Sequence, residues 1–309
     1  MDIYESVNKV ILDKMERGDF SSWCSGLKPS AKDDFLYTSW NYNLFSKRPY
    51  SLINNFMLGY FSEQFGFKSN LWLTFNQVKE LGGNVRGEKS KAFVVFFKMI
   101  EKEKEDMDTG EKKKICYPYL SYSSLFNLDQ VKDLPKEKIP AVRKPAEITY
   151  KDNEIDLFIN RYCSRAGVGQ TYFGRQPYYS PAKDLICMPE KTSYKDPGFY
   201  YGAYLHEMTH STGHASRLGR FKDEESFSYA KEELVAEIGA SYLRAALGIK
   251  GEDISNSVAY IDGWKKHIKD DKYLIVTAFS RAEKACDYIL DRALEIKQEK
   301  MNGKDDRAR

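Results

Sequence analysis

The segment that most restricts what this chain can become is Tyr204-Leu-His-Glu-Met-Thr-His210. His206 and His210 are four residues apart, so on an α-helix they share one face about a turn apart, where two imidazoles can hold one metal ion. Glu207 follows the first histidine, within reach of a water on that metal. The flanks predict the helix: Asp196 is a natural N-cap, Pro197 a natural first helical residue and Gly213 a natural C′ stop. The chain has only four histidines in 309 residues, so the motif is not a by-product of composition.

A catalytic zinc takes three protein ligands and keeps one position for water. His214 stands eight residues after His206. The extended H-E-x-x-H-x-x-G-x-x-H pattern needs a histidine ten after, where this chain has Ser216. The remaining source is a carboxylate on a following helix. Ser228 to Leu247, stopped by Gly248, reads as that helix, with Glu233 and Glu237 on one face. This spacing lets Glu233 ligate the metal while Glu237 hydrogen-bonds the outer nitrogen of a ligating histidine. Glu232 points about 100° away and is expected in solvent. Surface pairing of Glu233 and Glu237 with Lys231 and Arg244 stays open as the alternative. The expected cofactor is one Zn2+, or another divalent transition metal, per chain.

A chain of this length suggests about two domains. The break is expected in residues 135–147, where three of the ten prolines fall and little can be helix or central strand. That gives a domain over 1–134, a Pro-rich linker over 135–147 and a second domain over 148–309. Val7, Val10, Ile11 and Met15 space out an amphipathic helix ending near Gly18. Leu71–Phe75 reads as a strand and Asn76–Leu81 as a short helix. Ala92–Ile100 and Ile115–Leu120 read as a hairpin with the charge-dense segment 101–114 as its solvated tip. The second half offers a helix over Asp152–Ala166, aromatic strands through Tyr178–Pro189 and three long helices. The fold class is α+β: an N-terminal α+β domain and a C-terminal, mainly helical domain with a small sheet.

Apolar runs reach six residues, against the ~20 that a membrane helix needs, so no membrane span is expected. Residues Met1–Ser6 lack the start of a secretory signal. Five scattered cysteines, with no CxxC pair, read as reduced thiols of a cytoplasmic protein.

Residues 41–100 carry eight basic side chains against three acidic ones, together with thirteen aromatics. Basic groups interleaved with aromatics suit single-stranded nucleic acid, neutralising phosphates while bases stack. On composition alone most of these rings belong to a core.

Several motifs together resemble one family. Tyr179-Ser-Pro-x-x-Asp-x-Ile-x-Met-Pro189, His206-Glu-x-x-His-Ser-Thr-Gly-His214, Arg217-Leu218 and Tyr229-Ala-x-Glu-Glu-Leu-Val-Ala-Glu237 are similar to the zincin-like metallopeptidase domain of ArdC-type antirestriction proteins. Tyr260-Ile-x-x-Trp264 and a final helix over Ala278–Leu294 also fit. Asn43 to Tyr60, Leu71 to Arg86 and Gly87-Glu-Lys89 are similar to the N-terminal domain of the same proteins, as are Gly18 and Trp23. The resemblance implies His206, His210 and Glu233 as ligands and Glu207 as the catalytic carboxylate. It also implies a single-stranded-DNA-binding N-terminal domain, with Lys47, Arg48, Trp72, Arg86, Lys89 and Lys91 as candidate contacts. Two departures stand out: Gly87 follows Arg86 directly where the family has an intervening Lys, and Ser90 replaces a Gly.

The leading expectation is therefore a single-stranded-DNA-binding antirestriction protein of a conjugative or other mobile element, with a metal-binding zincin domain that hydrolyses peptides if its site is catalytic. A regulatory metalloprotease that cleaves a repressor or restriction subunit is one alternative. A non-catalytic DNA-binding protein with a structural metal is another.

Overall fold

A computed structural model describes residues 2–16, 28, 36–37, 39–105, 112–143, 151–222, 229–249 and 271–294. Gly18, Trp23, Ser228, Tyr260 and Trp264 lie outside them. In the N-terminal half, helix α1 (Ile3–Glu16) and helix α2 (Leu52–Phe65) pack beside a five-stranded sheet. The sheet is built from β2 (Tyr42–Asn43), β3 (Arg48–Pro49), β4 (Leu71–Leu73), β5 (Ala92–Glu105) and β6 (Lys112–Asn127), in the order β3-β2-β4-β6-β5. A separate two-residue strand, β1 (Leu36–Tyr37), pairs in parallel with β7 (Val142–Arg143).

α2 is apolar nearly all round, and Leu52 to Leu58, Tyr60 and Phe61 are all buried. Two buried amides on it bind neighbouring backbone. Asn54 accepts from Val95 N–H and donates to Val95 C=O, both at 2.8 Å, and Asn55 accepts from Asn41 N–H at 2.8 Å. Thr74 caps the short helix α3 (Phe75–Glu80) through a capping box with Gln77, which starts the helix one residue before the expected Asn76. The β5–β6 hairpin is longer than the sequence suggested. Its ladder continues through Glu101↔Cys116 to Glu105↔Lys112, so part of the charge-dense segment is strand and not loop. Strand register places Glu103 opposite Lys114, Lys104 opposite Lys113 and Glu105 opposite Lys112.

The C-terminal half has helix α4 (Asp152–Ala166), the sheet β8 (Gly169–Tyr172), β9 (Tyr178–Ser180) and β10 (Leu185–Met188), then helices α5 (Pro197–Ser211), α6 (Tyr229–Ala246) and α7 (Leu274–Ala293). β10 is central, parallel to β8 and antiparallel to β9, which leaves β9 on an edge. Asp196 caps α5 as expected, accepting from Gly198 N–H at 2.6 Å. Gly213 serves another purpose than a left-handed stop: a Cβ there would sit 2.5 Å from the Phe221 ring, so its lack of a side chain admits that ring. Gly248 does take the left-handed conformation (φ 62°) beyond α6.

The halves are not separated by a gap. α7 packs on α4, α5 and α6 and also on α2, where the Phe56 and Phe279 rings lie 5.5 Å apart. Trp40 meets Tyr242 at 6.1 Å, and Leu52 N–H donates to Glu283 at 3.2 Å. The apolar core therefore runs continuously through both halves. The described thiols, Cys163, Cys187 and Cys286, are buried and unpaired with one another. No helix among the described residues is long and apolar enough to cross a membrane.

Candidate metal centre and nucleic-acid face

α5 and α6 pack closely because Gly239 faces Thr209: a Cβ at residue 239 would lie 2.6 Å from the threonine methyl. This approach brings Glu233 on α6 to the histidines on α5. His206 Nε2 and His210 Nε2 are 3.0 Å apart; Glu233 Oε2 lies 3.5 Å from the first and Oε1 3.4 Å from the second. Metal–ligand bonds of about 2.0–2.1 Å at tetrahedral angles separate ligand atoms by roughly 3.3 Å. The three side chains thus outline one face of a tetrahedron around a zinc-sized ion, and they fit a divalent metal of the two-histidine, one-carboxylate type. The surface-pair alternative does not hold for Lys231, whose Nζ pairs with Asp271 at 2.7 Å.

The outer nitrogens face carboxylates. Glu237 Oε1 lies 3.6 Å from His206 Nδ1, and Glu232 Oε1 lies 3.5 Å from His210 Nδ1. Glu232 corrects the expectation of a solvated side chain, since it is only 4% exposed. The 100° turn from Glu233 leads not to water but to Arg220, which covers that flank of α6. Arg220 Nε donates to Glu232 Oε2 at 2.9 Å and Nη2 to Oε1 at 2.5 Å. The same guanidinium donates to Thr212 Oγ1 and Thr209 C=O, tying it to the end of α5. Helical spacing on α6 alone could not reveal this pair, because its other member comes from the turn after α5.

The charge balance favours a cation. Burial pulls the His210 imidazole down, but Glu232, Glu233 and Glu207 outweigh it and raise its pKa from 6.5 to about 9. His206 is raised for the same kind of reason, with burial opposed by Glu233 and Glu237. Burial acts to raise the Glu233 carboxyl, yet both histidines hold it well below the ordinary range. Glu232 is likewise lowered, with burial overcome by Arg220 and His210. Glu207 behaves differently: burial dominates and raises it against the pull of His206 and His210 and a hydrogen bond from Tyr179 N–H. With Glu232 paired to Arg220, three carboxylates remain around two imidazoles, a surplus of negative charge that protons on the histidines or a metal ion would offset.

His214 stays outside the cluster, with Nδ1 2.8 Å from Ser216 Oγ. The remaining motif residues frame the site. Arg217 is buried and pairs with Asp184, and it donates to the Tyr179 hydroxyl at 3.0 Å and to Ser211 C=O at 2.7 Å. This fastens β9, which carries the amide facing Glu207, to the end of α5.

The six expected DNA contacts do not form one surface. Trp72 is wholly buried and its indole N–H donates to Asn41 at 2.8 Å, so it has no face for a base and belongs to the core. Lys47 and Arg48 are exposed at the β2–β3 turn. Arg86 and Lys89 are exposed in the loop after α3, where Gly87 is left-handed (φ 82°). Ser90 donates there to the Ala92 and Leu125 carbonyls. Lys91 lies 5.3 Å from the Phe65 ring and lines a cavity with Phe93, Tyr122 and Ser124. Arg48 lines another with Val94, Phe96 and Ser123, the alternate residues of the same hairpin. The sequence reading passed over Phe96 and Tyr119, both solvent-exposed rings; strand alternation within Ala92–Lys98 was the signal available for Phe96.

The site and fold are those of a zincin-like domain joined to an N-terminal sheet domain, and the comparisons agree. Residues 158–281 match the zincin-like metallopeptidase family and residues 1–126 match the N-terminal domain of anti-restriction factor ArdC. Crystal structures of the antirestriction ArdC protein from plasmid R388 superpose on this chain. The metal-free form is 35% identical with a TM-score of 0.63, covering 95% of this chain and 98% of that one. The Mn(II)-bound form is 33% identical with a TM-score of 0.67, covering 96% and 100%. This chain belongs to the ArdC antirestriction family. An uncharacterized protein, y4eC, of Sinorhizobium fredii is 26% identical over 98% of this chain and 96% of its own length. A DNA primase, TraC, of Escherichia coli is 31% identical over 74% of this chain, which spans only 16% of the primase.

Proposed function

We propose that this chain binds single-stranded DNA through its N-terminal half, shielding entering DNA of a mobile element from restriction, and holds one divalent metal, Zn2+ or a close substitute, at His206, His210 and Glu233. The observation that carries the reading is the ligand triangle in a chain aligned over nearly its whole length with antirestriction ArdC structures. On this reading the protein works in the cytoplasm, where entering DNA meets restriction.

A second reading, peptide hydrolysis, rests on Glu207. A bound divalent ion would supply Lewis-acid polarisation and an acidified water. Glu207 is buried beside the ligands, and its raised pKa brings it nearer the working range of a general base. The Tyr179 amide would orient that carboxylate, and the edge strand β9 would take an extended peptide by backbone pairing.

Conjugation into a restricting recipient separates the readings. The wild-type gene should raise transfer, and Glu207→Gln should raise it equally if protection is by binding. Loss of protection by Glu207→Gln, with metal content and DNA affinity intact, would transfer the function to the peptidase reading.

A further inference from the structure

The two edge strands of the N-terminal sheet, β3 and β5, line one groove of about 460 Å³, together with the starts of α2 and α3. That volume is within the range of small-ligand sites. Its walls include Asn43, Arg48, Tyr50, Gln77, Phe96 and Ser123, and no carboxylate lines it. Arg48 is exposed and makes no ion pair among the described residues. Phe96 is 54% exposed, an unusual position for a phenylalanine in mid-strand. An apolar ring, a cationic side chain and fixed amides at one place suit a base, its phosphate and its polar edge.

Peptide occupants are disfavoured by the edges themselves. Asn54 uses both the N–H and the C=O of Val95, and Pro49 on β3 has no N–H to offer. An added strand would find neither ladder open at these points. The polar floor is fixed instead for side-chain recognition. Gln77 Oε1 accepts from Thr74 N–H at 2.9 Å and from Asn43 Nδ2 at 3.1 Å, which leaves its amino group to donate. Burial pushes the Tyr50 phenol up to about 12, so its hydroxyl keeps its proton. The same hairpin face continues outward: Lys98 is two residues beyond Phe96, opposite the exposed Tyr119, with its Nζ 5.5 Å from that ring.

We infer that this groove is the base-binding subsite for single-stranded nucleic acid, with Phe96 as the stacking ring and Arg48 as a phosphate contact. Resting on the single-strand reading above, it places the contact on the hairpin face opposite Lys91, so Lys91 and the Arg86–Lys89 turn would be peripheral.

The test is fluorescence anisotropy of the full chain with a fluorescein-labelled oligo-dT of about 15 nucleotides over a range of NaCl concentrations. Phe96→Ala should weaken binding roughly 5- to 150-fold, the equivalent of about 1–3 kcal/mol for one stacked base, with the salt slope unchanged. Phe96→Trp should restore it. Arg48→Gln should weaken binding and flatten the slope by about 0.7, one phosphate contact. Phe65→Ala, at an exposed ring beside Lys91, should match the wild type. If the wild type binds and Phe96→Ala and Arg48→Gln bind equally well, the groove assignment falls while the single-strand reading stands. If the wild type does not bind oligo-dT, that reading falls and the groove assignment with it.

Discussion

His206, Glu207 and His210 come from five consecutive residues on one helix, and only Glu233 must be delivered from elsewhere. In the groove, Arg48, Gln77 and Phe96 come from a two-residue strand, a short helix and a long hairpin, and they meet only because the sheet brings its two edges to one cavity. A metal ion fixes its ligands to within tenths of an ångström, which restricts them to a few helical spacings that a sequence displays. A stacking face tolerates many arrangements, so its residues carry no spacing rule. The lesson is that legibility follows the stringency of the ligand's geometry.

The sharpest way to break this contrast is to destroy one site and examine the other. His210→Ala removes a proposed ligand and one of the two partners of Glu232 and of Glu233, leaving Arg220 beside the first and His206 beside the second. Elemental analysis after dialysis should fall from about one metal per chain to near none. Affinity for single-stranded DNA should stay within about twofold. Loss of both would mean that the continuous core through Phe56 and Phe279 couples the sites.

A smaller effect should come from the carboxylates behind the ligands. Glu232→Ala should lower metal affinity about 10- to 100-fold without abolishing binding, as measured by competition with a chromogenic chelator. Glu237→Ala should cost less, since its side chain is 31% exposed against 5% for Glu232. Equal affinity in Glu232→Ala would reduce the Arg220–Glu232 pair to a brace between α6 and the turn that follows α5.

The gentlest effect is a pH drift. His210 is raised from 6.5 to about 9 and His206 is raised as well. A raised folded-state pKa adds stability that is complete below the unfolded value and is lost as pH rises through the folded value. Metal-stripped protein should therefore lose melting temperature between about pH 6.5 and 9. The metal-loaded protein, whose histidines have no ligating-nitrogen proton to lose, should not, and metal affinity should rise across the same window. A flat apo profile would show that the two imidazoles are not held in the charged state.

Much of the fold was readable where local chemistry agreed with global packing: the Asp196–Pro197 start signal stands where expected, the Asp152–Ala166 helix keeps its expected bounds, and the short helix expected from Asn76 begins one residue earlier. Glu232 was misread because helix periodicity does not show that Arg220 covers the flank. Trp72 was misread because a basic, aromatic stretch does not say which rings point inward, and its neighbours Leu71 and Leu73 are buried with it. Gly213 and Gly239 were needed for close approach to Phe221 and Thr209, contacts that only the packed helices define.

The proposed metal centre and single-strand surface are expected to work independently. The direct measurement is anisotropy of the wild-type chain, metal-loaded and chelator-stripped, with a labelled ~30-mer in single- and double-stranded form at two salt concentrations. Tighter, salt-dependent binding to the single strand, equal in the two metal states, is the predicted result. Binding to neither form, or binding that disappears with the metal, would contradict it.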